Sequence, residues 1–288
     1  MKISRVKTQG TGKQDNTNLT ELQRRIFSGF ILIGILLFFT LYSNTTFSIL
    51  VCVTSLIVSW EWSRIVYKNT LNPLLFVQGI CVFTCLLLSS RGYHLEALMI
   101  LIFGLIFLIL LSWTNLPLLP SLGILYAGLP GVTLLWIKQD HSYGLYAILY
   151  IFFVVIGTDT ASYIIGRRLG GKKLAPKISP NKTWSGFLGG ISVPSLISIA
   201  FIVLKQSSIS LFFTTVILAL LCQLGDLAES FLKRKFQIKD SSNLIPGHGG
   251  ILDRVDGLIF ASLGAGLMSL IINPTFPAKA LLFWSFSS

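Results

Sequence analysis

Four short stretches in the second half of the chain gather side chains that could handle phosphate. One is PGHGGILDRVDG, Pro246 to Gly257. Asp253 and Asp256 stand one helical turn apart there, with Arg254 between them, and Gly247, Gly249 and Gly250 would let the backbone approach a ligand closely. His248, in the same stretch, could be a ligand, an acid–base group or a loop hydrogen bonder, and the last is favoured. A second stretch is QLGDLAESFLKRK, in which Ser230, Lys233 and Arg234 follow Asp226 at i+4, i+7 and i+8 and so share one helical face. A carboxylate, a hydroxyl and two cations in a stripe suit a metal-bound phosphate, and hard oxygen donors among many cations fit Mg²⁺ held together with that phosphate. In KKLAPKISPNKTWSG, Ser179, Pro180 and Asn181 read as a turn. Lys182 and Thr183 then lead into a helix whose first free amides would reinforce an anion site. The spacing is not that of a P-loop. The fourth stretch, GTDTASYIIGRRLGG, places Ser162, Tyr163 and Gly166 on the face of Asp159.

The elements that position these groups must lie in a membrane. Of the 288 residues 53% are hydrophobic and only 12% charged. The mean hydropathy is +0.75. Soluble domains carry about 25% charged residues, so the chain is expected to be an all-α, polytopic integral membrane protein. A span needs about 20 mostly apolar residues. Nine candidate transmembrane helices follow: 26–42, 45–60, 74–90, 95–112, 116–137, 145–165, 186–204, 209–228 and 258–273. Residues 1–25 read as a flexible, basic N-terminal segment with no cleaved signal peptide expected. Residues 26–137 form an N-terminal bundle of about five spans. Residues 138–288 form the catalytic region, with loops 166–185 and 230–257.

The net charge of +12 is assigned to basic loops at an anionic leaflet rather than to nucleic acid. With nine spans and a cytoplasmic N-terminus, only Arg91, Lys138, Lys205 and Lys279 of the 23 lysines and arginines fall on the far side. Both catalytic loops, and hence the active site, are then cytoplasmic. Asp159 lies roughly 9 Å inside its span at 1.5 Å per residue, and an intramembrane acid marks a functional site by default. The first five spans carry little chemistry. Glu61 sits between Trp60 and Trp62, and an aromatic belt at the interface accounts for the tryptophans. Pro117, Pro120 and Pro130 are expected to bend the fifth span. Cys52, Cys81, Cys85 and Cys222 lie in apolar runs and form no disulfide or zinc pattern.

The stretch SFLKRKFQIKDSSNLIPGHGGILDRVDG, Ser230 to Gly257, resembles the signature of the phosphatidate cytidylyltransferases, or CDP-diacylglycerol synthases. That signature runs Ser-x-x-Lys-Arg, Lys-Asp-Ser, Pro-Gly-His-Gly-Gly and Asp-Arg-x-Asp, and every element is present in order. DTASYIIGRRLG, SPNKTWSG and QLGDLAES also resemble family segments. One departure is Ser185, where the family usually has glutamate. The resemblance implies that CTP and phosphatidate give CDP-diacylglycerol and pyrophosphate, with Mg²⁺ as cofactor and membrane lipids around the chain. Resemblance and spacing together assign the metal to Asp226 and Asp253, with Asp256 as a further candidate. Lys182, Lys233, Arg234 and Arg254 would neutralise phosphates. Gly247, Gly249 and Gly250 would admit the triphosphate, with Thr183, Ser230 and His248 beside it. Asp159 and Ser179 belong to the site without a defined role. A multi-pass protein of a bacterial plasma membrane is expected, with a homodimer as one candidate assembly. The competing readings are a CTP-dependent lipid (polyisoprenol) kinase, which would release CDP, and a transporter, which would need polar groups through the full membrane depth.

Overall fold

The computed structural model describes residue 29 and residues 31–67, 73–111, 118–205, 208–244 and 249–285. The polar segment 1–25, Pro117, Gly247 and His248 lie outside the described residues. The helices are α1 (Ile31–Tyr42), α2 (Asn44–Tyr67), α3 (Pro73–Ser90), α4 (His94–Leu111), α5 (Leu118–Ser121), α6 (Gly123–Lys138), α7 (Gly144–Leu169), α8 (Trp184–Lys205), α9 (Ser210–Lys235), α10 (Leu252–Ile272) and α11 (Pro277–Phe283). A hairpin of β1 (Lys173–Ala175) and β2 (Ser179–Thr183) interrupts them between α7 and α8. Seven described helices are long and apolar enough to cross a membrane, and the stretches 31–42 and 74–90 are shorter apolar helices. The chain is a polytopic, all-α membrane protein. Helices are what such a sequence must form, because hydrocarbon offers backbone amides no partner outside the helix itself.

Each expected span coincides with a helix, but several ends move. The second runs on to Tyr67, because Glu61 is buried in protein instead of ending the span at an interface. Trp62 is buried as well, donating its indole N–H to the Leu119 carbonyl at 3.2 Å and packing on Tyr126. It is a core residue and not part of an aromatic belt. The fifth span divides into α5 and α6, with Pro130 inside α6. The ninth starts six residues early, at Leu252, which puts Asp253 and Asp256 on the first turns of α10.

Helix α6 is the most enclosed of the long helices and touches α2, α3, α4, α7 and α10. Apolar burial gives little drive between helices in lipid, so close packing and buried polar contacts have to hold them. Ser59 and Gln78 tie α2 to α3 at 2.9 Å, and Tyr150 and Thr215 tie α7 to α9 at 2.7 Å. At one end of the bundle, Asp140 follows α6 and accepts hydrogen bonds from Ala278 and Lys279 at the start of α11. The hairpin, the end of α9 and the start of α10 meet at the opposite end.

Candidate active site

That second end holds a cavity of about 880 Å³, whose described lining residues all lie from α7 onward. Asp159, Ser162, Tyr163 and Gly166 all face it, so the helical face read around Asp159 is the face α7 presents. The hairpin contributes Lys173, Lys182 and Thr183, α9 contributes Gln223 and Asp226, and α10 contributes Asp253, Arg254 and Asp256. Carboxylates and cations therefore share one polar chamber at the end of an apolar bundle.

The hairpin differs from the turn expected at Ser179–Asn181. These residues form β2, and the turn falls at 176–178, where Pro176 supplies the fixed φ. Strand pairing sets Lys173 opposite Thr183 and Ala175 opposite Ser179. Thr183 then accepts the Gly186 amide at 3.1 Å, capping α8 three residues on. Ser185 donates to the Gly170 carbonyl and lies 3.0 Å from the Thr183 hydroxyl, so it closes the base of the hairpin. With the strand fixed this way, the Lys182 ammonium reaches Asp226 at 2.5 Å.

Close approach of α9 and α10 brings Asp226 and Asp256 to the same cavity. A Cβ on Gly225 would lie 2.5 Å from the Asp256 carbonyl oxygen, so only glycine permits this contact. Asp226 accepts a long hydrogen bond from Ser230 at 3.4 Å, and Asp256 accepts the Gly257 amide at 2.7 Å. The Cys222 thiol, on the preceding turn of α9, lies 3.6 Å from Asp159.

The stripe read along α9 is split by its neighbours. Lys233 turns to Glu229 at 2.6 Å and to Asp253 at 2.8 Å, both nearly buried acids. Arg234 is exposed and donates to the carbonyls of Ile178 and Ile238, tying the hairpin turn to the chain that follows α9. Asp253 accepts Lys233 together with the amides of Ser241 and Gly250 and the Ser241 hydroxyl. Gly249 has φ +83°, and a side chain on it would strike the Asp253 carboxylate at 2.7 Å. Gly249 and Gly250 thus pack closely around Asp253. Residues 241, 242, 251 and 252 also meet a residue that sequence reasoning set aside. Glu61 accepts hydrogen bonds from Ser241, Ser242, Ile251 and Leu252. Glu229 was missed as well. For both, the available signal was an acid inside an apolar span.

Against known proteins, a profile of the cytidylyltransferase family matches residues 23–271. The phosphatidate cytidylyltransferase of Brucella suis is 35% identical over 272 residues, covering 93% of this chain and 100% of the relative. That of Bacillus subtilis is 34% identical, covering 84% of this chain and 95% of the relative. That of Haemophilus influenzae is 31% identical, covering 83% and 96%. The polar chamber at the end of the bundle, the signature residues Asp253, Arg254 and Asp256 that line it and these likenesses over most of the chain agree: the chain belongs to the cytidylyltransferase family.

Proposed function

We infer that this protein transfers the cytidylyl group of CTP to phosphatidate, giving CDP-diacylglycerol and pyrophosphate for phospholipid synthesis. The observation that carries the reading is the cavity in which Lys182, Asp226, Arg254 and Asp256 face one another at the membrane end of α7–α10. The three relatives bear the name of that activity.

The chemistry needs no side-chain nucleophile. A phosphate oxygen of phosphatidate is largely ionised at neutral pH, since a phosphomonoester has its second pKa near 6. It attacks the α-phosphorus of CTP. A new P–O bond forms, the bond from that phosphorus to the bridging oxygen breaks, and the electron pair leaves with pyrophosphate. The obstacle is mutual repulsion of two polyanions, so catalysis is positioning plus neutralisation. Lys182, Arg254 and Lys173 supply positive charge around the cavity. Lys182, now on Asp226, would exchange that carboxylate for a substrate phosphate.

Mg²⁺ fits the donors present. Asp226 and Asp256 both line the cavity as hard oxygen donors, and among the described residues no group of three or more His, Cys, Asp or Glu side chains is placed to hold a metal ion by itself. Such a pair suits a cation that takes one or two carboxylates and completes its shell with water and substrate phosphates. We assign it to Asp226 and Asp256. Asp253, which the sequence reading pairs with Asp226 at the metal, lines the same cavity but is occupied by Lys233 and the Ser241 and Gly250 amides, which favours a positioning role for it in this reading. When bound, the ion would neutralise phosphate charge and polarise the oxygens around the reacting phosphorus. In this reading Lys233 and Arg234 act through the structure they hold.

The acyl chains would stay in lipid while the headgroup enters the cavity. The lysine and arginine bias supports a cytoplasmic placement of this end and of the N-terminus, and the bacterial relatives support a plasma membrane, where CTP is available. The test is to supply the purified protein with CTP and phosphatidate and follow lipid-linked cytidine and pyrophosphate. Release of CDP together with a newly phosphorylated lipid would instead indicate a kinase.

A further inference from the structure

Glu61 is a fully buried acid of the N-terminal bundle, 0% exposed, and the transfer chemistry above leaves it unused. Its carboxylate is filled from a segment far away in sequence. Oε2 accepts the Leu252 amide at 2.6 Å and the Ser241 hydroxyl at 3.1 Å. Oε1 accepts the Ile251 amide at 3.1 Å and the Ser242 hydroxyl. Ile251 is the N-cap of α10 and Leu252 its first residue, so the acid meets amides left free at a helix start, where the dipole also favours negative charge.

The arrangement reaches the cavity wall through Ser241. Its amide donates to Asp253 Oδ2 at 3.1 Å, and its hydroxyl lies 3.1 Å from Glu61 and 3.0 Å from Asp253. A hydroxyl has one proton, so it serves one of the two acids at a time and couples them. Gly250 is fitted to the same spot, since a Cβ there would lie 1.9 Å from the Ser241 hydroxyl and 2.5 Å from Glu61 Oε1. Burying a carboxylate is costly even when it is well bonded. An exposed serine or asparagine would cap α10 more cheaply. What a short cap from within the segment cannot do is tie that segment to α2.

We propose that Glu61 is a positioning residue for the cytidylyl transfer inferred above, on which this proposal rests. Holding Ser241, Ser242 and the first amides of α10, it fixes the orientation in which Asp253, Arg254 and Asp256 meet the substrates. It is also one of the contacts by which the N-terminal bundle, none of whose described residues lines the cavity, bears on the site. The test uses Glu61→Gln, which keeps the size but turns an amide donor toward donors, and Glu61→Asp, which keeps the charge on a shorter arm. Hydrogen–deuterium exchange of the membrane-reconstituted protein is read beside kcat and KM. Glu61→Gln should speed exchange at 241–254 while α2 and α7 stay protected. It should lower kcat by about 10²-fold, the cost of a misplacement near 1 Å, with a smaller change in KM. Glu61→Asp should recover part of both. Unchanged exchange at 249–254, kcat within a few-fold of wild type, or loss of protection throughout α2 and α10 would each overturn the proposal. If the wild type makes no lipid-linked cytidine, the functional reading fails, and the exchange result still decides whether Glu61 holds the turn.

Discussion

Lys182 and Asp226 meet across the polar cavity, Nζ to Oδ2 at 2.5 Å, and join the β-hairpin to α9. The pair is only partly shielded, with side chains 23% and 38% exposed. Pairs as open as this contribute at most about 1 kcal/mol to stability. The structural cost of breaking it is therefore small, and the contact is available for exchange with a substrate.

Lys182→Ala should accordingly lose about 10²-fold in kcat/KM, near 2.7 kcal/mol, as expected for one preorganised charge contact in the transition state. Its thermal unfolding midpoint should stay close to that of the wild type. Steady-state kinetics beside a melting curve checks both. Activity within a few-fold of wild type would make Lys182 a hairpin contact only.

Asp226→Asn and Asp256→Asn should each raise the Mg²⁺ concentration needed for half-maximal rate and lower the plateau. The double variant should be little worse than either single one, because groups acting on one ion are not additive. A Mg²⁺ titration after chelation of the wild type supplies the reference. Multiplying defects would assign the two carboxylates separate tasks.

Asp253→Asn should behave differently from those two. Lys233 would lose one of its two acids and the Ser241 and Gly250 amides their charged acceptor. Hydrogen bonds to a charged group are each worth about 1.5–3 kcal/mol, so stability should fall by about that much, together with activity. The unfolding midpoint at saturating Mg²⁺ reads this. A normal midpoint with a weakened Mg²⁺ response would return Asp253 to the metal.

Asn181 is exposed on β2 and tests orientation. With the natural cysteines replaced, Asn181→Cys should react with a membrane-impermeant thiol reagent only after cells are opened. Labelling in intact cells would place the active site on the other face.

Much of this was legible because it is local. Apolar runs fix where the helices lie, and a 100° step per residue puts Asp159, Ser162, Tyr163 and Gly166 on the face that lines the cavity. The same rule misled at Lys233 and Arg234. Periodicity says which way a side chain starts, but Glu229, Asp253 and the hairpin decide where these long chains end. Ser179-Pro180-Asn181 has turn composition, yet the turn at 176–178 lets those residues pair as a strand. Glu61 was hidden for another reason. Its donors lie in residues 241–252, and the flanking tryptophans imitate an interface, so no local pattern links α2 to the glycine turn.

Cytidylyl transfer and phosphoryl transfer break different bonds in CTP. The most direct measurement gives the purified enzyme phosphatidate with CTP labelled either in its α-phosphate or in its γ-phosphate, and follows the label into lipid. Cytidylyl transfer should label the lipid from the α-position only, with the γ-label leaving as pyrophosphate. Lipid labelled from the γ-position, with CDP released, would contradict it.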